Sequence, residues 1–468
     1  MRVVVLHLVA LASFPVMLPL AGCQRASSEA LTSLPDNAAQ PQPKSMAELW
    51  PEIVDTGQDR ALREGSSPIP AAQKDREHVA EDWPNFLGPR HDGTSRENGV
   101  NLQWPAQGPP VIWRKEIGTG YSSPVVAGED LILMHRIGDE EIVECFHADT
   151  GASKWQTRYP TDYVCQYEYS NGPYSTPAIV GDRVFAWSAE GALRSLDRAT
   201  GEVIWRRDLN QDYAADLEMF PVAGSVFVND GRIFLNVGGP DGAGIVALNE
   251  QTGETLWTAT DDGAGDATAV VATIHGRDYL LMFTAEGLVS LDPATGQVHW
   301  QTPFRARAAD TSNATTPAIW KDLVLVSAYK AGSLCLRIHP DGTHEELWRE
   351  RRNLMCQYQN MIAIDGYVYA FSAHDHTLRC VQMETGEVQW KWEPEHRRGQ
   401  MLAVGNRLVF IFEAGHLATV DVSPEGWKVR SITSQPIIAD RCFSSPALSR
   451  GRLYLRSDTD FAVVCLGD

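Results

Sequence analysis

No two of the eight cysteines in this 468-residue chain are adjacent, and no C-x-x-C spacing occurs. Their absence removes the usual sequence marks of a zinc site or a haem attachment. Positive charge is also scarce: 40 Lys and Arg stand against 60 Asp and Glu, for a formal net charge of −20. A nucleic-acid partner would need a basic patch to neutralise its phosphates, so none is expected. No Ser-His-Asp order, phosphate loop or catalytic carboxylate motif stands out. What the chain has is apolar bulk, at 43% with 14 tryptophans, enough for a large core.

The N-terminus carries the sharpest local signal. Arg2 is followed by the apolar run VVVLHLVALASFPVMLPL and then Leu20-Ala21-Gly22-Cys23. A charged start, an apolar segment and small residues at the cut are the layout of a signal peptide. Pro15 and Pro19 interrupt the run, which argues against a transmembrane helix. LAGC is similar to the bacterial lipobox and makes Cys23 the expected lipidation site, with acyl chains as the membrane anchor. Gln24 after the cysteine resembles the pattern sorted to the outer membrane. From there to about Glu81 the chain is rich in Ser, Ala, Pro, Gln and charge and reads as a tether. The expected division is a signal peptide at 1–22, a tether at 23–81 and one folded domain at 82–468.

That domain is repetitive. Thr-Gly-x-x-x-Trp recurs as TGASKW, TGEVIW, TGETLW, TGQVHW and TGEVQW, ending at Trp155, Trp205, Trp257, Trp300 and Trp390. A degenerate copy ends at Trp348, a poorer one at Trp427, and Trp113 closes an orphan copy of the last strand. Trp113, Trp155, Trp205, Trp257, Trp300, Trp348 and Trp390 follow one another at intervals of 42–52 residues. That is the period of a four-stranded propeller blade. Short alternating strands fill each period, as at Thr176–Val180, Val184–Ser188, Leu193–Asp197 and Val203–Arg206. First strands begin near Ser123, Thr176, Ser225, Thr268, Thr316, Asn360, Gln400 and Ser445. The last unit, Ser444 to Leu466, has three strands, and Pro109–Trp113 is a strand without a blade. Joining them removes two open edges. The expected fold is all-β: an eight-bladed β-propeller with four-stranded antiparallel blades, closed by an N-terminal strand.

The Asp-x-x-Thr-Gly-x-x-x-Trp pattern, Asp197 to Trp205 and Asp292 to Trp300, resembles the tryptophan-docking repeat of quinoprotein dehydrogenases and of BamB. The resemblance covers roughly residues 104 to 468. The leader Trp83 to Arg90, with Asp92-Gly93, is similar to the opening of a large group of bacterial proteins with such repeats. The resemblance to BamB implies a lipid-anchored scaffold at the periplasmic face of the outer membrane. It would not be an enzyme, and its partners would be envelope proteins, the β-barrel assembly machinery among them. The repeat specifies fold far more strongly than activity. A quinone-dependent oxidoreductase and a carbohydrate- or peptide-binding envelope module are its other readings. Quinoprotein dehydrogenases carry an adjacent cysteine pair over the cofactor, a calcium site and long insertions. Their residues match no position here, so neither cofactor nor metal is expected.

Each remaining candidate has a plain structural alternative. The tryptophans, in one place in every blade, are expected to pack between blades. Cys145 and Cys380 stand where Ser195, Ala247 and Ser290 stand elsewhere, as small buried fillers, with Cys335 and Cys465 near the same slot. Cys165, Cys356 and Cys442 each precede a first strand; one disulfide among them is open, and spacing does not decide it. His374-Asp375-His376 could begin a metal site, but it falls where other blades turn. The rim loops before the first strands offer tyrosines, amides and glycines. Tyr121, Tyr169, Asn171, Tyr174, Gln359, Asn360 and Arg441 are therefore candidates for recognition, with loop packing as the alternative.

Overall fold

Strands are paired one blade at a time here, and seven of the eight junctions between blades are sealed by an indole. The structure, a computed structural model, describes residues 79–467 apart from 168, 217–219, 307, 309 and 310. Cys23, the signal peptide and the tether up to residue 78 lie outside the described residues. Eight antiparallel four-stranded sheets succeed one another along the chain. Blade two runs Ala178–Val180, Arg183–Trp187, Ala192–Asp197 and Val203–Asp208, within two residues of expectation. The middle strands are buried on both faces, as in Leu323–Ala328, whereas the outermost strands alternate between exposed and half-buried, as in Val111–Glu116. First strands of neighbouring blades touch one another, so they line the central channel.

Closure occurs where the orphan strand placed it. Blade eight takes Ala447–Ser449, Arg452–Arg456 and Asp460–Cys465 from the C-terminus, and Val111–Glu116 pairs antiparallel with the last of these.

The repeat motif has a direct physical reading. Outermost strands slip register beside the tryptophan in seven of the eight blades, a bulge that re-aims the indole, whereas in blade seven the slip falls at Ser431, away from Trp427. The indole then lies on the Thr-Gly turn of the next blade. A Cβ on Gly151 would sit 2.8 Å from the Trp113 ring, and one on Gly253 2.8 Å from Trp205. Six indole N–H groups donate to backbone carbonyls of the following blade, for example Trp155 to Arg198 at 2.8 Å and Trp390 to Ser423 at 2.7 Å. Trp300 is the exception. Its nitrogen is buried with no hydrogen-bond partner among the described residues, and its ring stacks on His344 of blade five, 4.3 Å between centroids. The third strand behind six of these indoles carries a small residue; behind Trp113 it carries Val463, and Cys465, expected near this slot, lies two residues beyond it. Cys145, Cys335 and Cys380 fill that place, facing Trp155, Trp348 and Trp390.

The leader does something no repeat count could show. Trp83 exchanges two backbone hydrogen bonds of 2.8 Å with Val126 of blade one, and the Pro84 carbonyl accepts from Ile179 of blade two at 2.9 Å. The His91 ring meets Phe227 of blade three, 4.6 Å away. Thr94–Ser95 adds a parallel fifth strand to the innermost strand of blade seven, Gly399–Val404. The Glu97 carboxylate accepts from the backbone N–H groups of Arg450 and Gly451 in blade eight at 2.6 and 2.8 Å. The leader therefore bridges the first-strand ends of blades on both sides of the axis, opposite the rim where those strands begin.

Candidate binding site at the channel mouth

The residues that begin the eight first strands share one property: each is a short hydroxyl or amide. They form a belt around the channel. The Ser123 N–H donates to Thr176 Oγ1 at 3.0 Å, Thr176 to Ser225 Oγ at 3.1 Å and Ser225 to Thr268 Oγ1 at 3.0 Å. Across the ring Thr316 donates to Asn360 Oδ1 at 2.9 Å, and Ser445 to Ser123 Oγ at 2.9 Å. Buried backbone donors at the start of an innermost strand need partners, and the neighbouring blade supplies them.

Above this belt lies a cavity of about 190 Å³, lined by seven of the eight belt residues, by Tyr121, Tyr169, Tyr174, Phe220, Tyr329, Tyr358 and Phe443, and by Phe86. Phe86 belongs to the leader, which makes it the floor of a blind cup. The wall is an aromatic cluster centred on Phe443, whose ring lies 5.1 Å from Tyr121, 5.2 Å from Tyr358 and 6.3 Å from Tyr169. Tyr121 also meets Tyr174 at 5.0 Å, and Tyr169 meets Phe220 at 5.8 Å. Burial pushes the Tyr121, Tyr169 and Tyr358 phenols above their ordinary range, so the wall stays neutral.

Buried charge braces this wall from behind. The Arg398 guanidinium donates to Glu413 Oε1 at 2.6 Å and to Gln357 Oε1 at 2.7 Å and lies over the Tyr358 ring, while the Tyr358 hydroxyl donates to the same carboxylate. Arg456 is fully buried. It donates to the Ser122 and Met134 carbonyls at 2.6 and 2.7 Å, and burial lowers its pKa to about 9. Gly120, at φ +139°, is required beside it, since a Cβ would fall 2.8 Å from Arg456 Nη2. His135 accepts from the Gly118 N–H at 3.0 Å through Nδ1 and lies 3.0 Å from Glu144 through Nε2, so it positions the first rim loop.

Of the rim candidates, Tyr121, Tyr169, Tyr174 and Asn360 come together in the cup. Asn171, Gln359 and Arg441 do not line it. Asn171 braces its own loop, its side chain accepting from the Cys165 N–H at 2.8 Å and its carbonyl from Arg136 at 3.1 Å. Gln359 is fully buried with neither amide atom hydrogen-bonded among the described residues. Arg441 is exposed, two residues from Phe443. Phe86, Phe220 and Phe443 were missed. The belt was within reach, because a Ser, Thr, Asn or Gln opens every first strand.

The disulfide left open among Cys165, Cys356 and Cys442 does not form. Each is free and buried in a different blade junction, Cys165 near the Tyr174 hydroxyl, Cys356 beside Ser327 and Cys442 on the Ala439 carbonyl. His374-Asp375-His376 is a turn, with Asp375 accepting from Thr377 and paired to Arg379. Among the described residues no three His, Cys, Asp or Glu converge as metal ligands. A quinone of the dehydrogenase type does not fit the cup. Among the described residues no tryptophan lines it and Asp266 is its one lining carboxylate, and the sequence holds no adjacent cysteines to stand over it.

A family model described as outer membrane protein assembly factor BamB matches residues 139–392. BamB of Yersinia pestis is 22% identical over 295 residues, spanning 59% of this chain and 70% of that protein. A polyvinylalcohol dehydrogenase of a Pseudomonas species is 26% identical over 160 residues, 29% of this chain and 24% of its own length. Among solved structures, BamB from Moraxella catarrhalis superposes with a TM-score of 0.55 at 18% identity, covering 75% of this chain and 96% of that one. Quinohemoprotein alcohol dehydrogenase from Comamonas testosteroni gives 0.57 at 14% identity, over 83% and 81%. At these identities the two structures bear on the fold alone.

Proposed function

The chain belongs to the family of the outer membrane protein assembly factor BamB, and from that premise we propose that it is a non-catalytic scaffold for assembling outer-membrane proteins. In this reading Cys23 is lipidated and holds the propeller at the periplasmic face of the outer membrane. Its partners are envelope proteins, the β-barrel assembly machinery first among them, and they dock on the rim. The single observation that carries the reading is the family match across the repeats, 139–392. The cup supports it, because among the described residues its wall is neutral and aromatic and presents no nucleophile-base pair. Half-buried tyrosines such as Tyr169 and Tyr174 supply contact area with a polar handle, which suits protein recognition.

The test is crosslinking in native membranes followed by capture of the full lipidated chain. Recovery of β-barrel assembly components supports the scaffold, and their absence from an efficient capture contradicts it. Cys23→Ala tests the anchor separately: the variant should leave the membrane fraction, and quantitative retention there would refute lipidation at that residue.

A further inference from the structure

The belt leaves hydrogen-bonding capacity unused where it faces the cup. Ser123, Thr176, Ser225 and Thr268 each accept a backbone N–H from the adjoining blade. A hydroxyl whose oxygen is so engaged can still donate its own proton. Among the described residues none of these four protons has an acceptor. The Asn360 amide behaves alike: its oxygen accepts from Thr316, and among the described residues its nitrogen meets no acceptor. All five residues line the cup. Its deep end is thus an arc of donors around a blind channel, above the Phe86 floor.

The wall has the opposite character, with Tyr121, Tyr169, Phe220, Tyr358 and Phe443 around the opening. About 190 Å³ is below the roughly 300–1,000 Å³ of pockets for drug-sized molecules, so it suits one ring rather than a fused system. Among the described residues no lysine or arginine lines it, and its one carboxylate is Asp266, in a chain of net charge −20. An anion would meet no countercharge in the lining, the Arg398 guanidinium behind it being paired to Glu413, and a cation would meet donors at the deep end.

We propose that the cup takes one uncharged ring carrying a hydrogen-bond-accepting oxygen, which enters from the rim oxygen first. The inference rests on the rim being the docking face and names what enters it: a phenol-like group, as on a tyrosine of a partner. The probes are p-cresol, toluene and p-toluate, titrated by NMR against the full chain, with a Gly-Gly-Tyr-Gly-Gly peptide as competitor. p-Cresol should bind at least tenfold more tightly than either of the others. Toluene binding as well as p-cresol would show the donor arc idle, and p-toluate binding best would show the site to be anionic; either overturns the proposal. Competition by the peptide assigns the ring to a partner's tyrosine, and its failure assigns it to a free small molecule. Thr176→Val should abolish the preference for p-cresol over toluene, and Thr176→Ser should restore it. Should the valine variant not fold, Phe443→Leu must weaken p-cresol and toluene alike, and unchanged binding there would place the site elsewhere. Ring binding lost with partner capture intact sinks this inference alone. Capture lost with ring binding intact sinks the scaffold alone.

Discussion

Gly253 and Gly231 hold nearly the same backbone torsion, φ +72° and +74°, in opposite surroundings: Gly253 lies under the Trp205 ring, whereas nothing comes within 4 Å of a Cβ at Gly231. Alanine at either position meets the left-handed penalty of about 1–2 kcal/mol. Only Gly253→Ala also displaces the indole. It should therefore cost roughly 1–3 kcal/mol more than Gly231→Ala, the range of overpacking. Paired thermal melts check this, and equal losses would deny the indole its role in sealing blades. Glu141 offers a second test at this scale. It is fully buried, with Oε1 accepting from the Ala189 N–H at 3.1 Å, and burial raises its pKa to about 7. The unfolded chain loses this proton near pH 4–5, so between there and pH 7 the folded state alone retains it. Stability should fall as pH rises through that window, by at most roughly 3 kcal/mol. Glu141→Gln keeps the Ala189 contact and should flatten the dependence. Parallel pH curves for both proteins would show that Glu141 is not the cause.

At the scale of elements, the repeated parts were legible and the unrepeated ones were not. Most blades make the same demand: a tight Thr-Gly turn, a bulge and an indole laid on the next turn. Strand order, closure and the small-residue slot of Cys145 and Cys380 could therefore be read from spacing. The bulge also explains the exposed Ile112, Ile204 and Leu256, each of which immediately precedes a docked tryptophan and is left without a cross-strand partner. The leader obeys no period. Trp83 and Phe86 could be recognised as a motif, but not as the plug that turns a channel into a cup. Phe443 was hidden for a similar reason, since one aromatic in one loop repeats nowhere. Truncation separates these elements. Removing 1–80 should leave the melting temperature nearly unchanged. Removing 1–108 unseats the plug and should lower it, and removing 1–115 also opens blade eight and should lower it most. Equal melting of the first and last truncations would contradict closure.

For the whole molecule, a ring sealed blade to blade and plugged at one end leaves two kinds of surface, the rim and the outer strand edges. Tyr169, half-buried beside Phe220 and Phe443, marks the first; Ile204, 46% exposed, marks the second. The scaffold account assigns docking to the rim. A photocrosslinking amino acid placed at position 169 or at position 204 of the anchored protein, irradiated in living cells, compares the two directly. The account predicts adducts with β-barrel assembly proteins from position 169 and few from position 204. Adducts with those proteins from position 204 alone, or none from position 169, would contradict it.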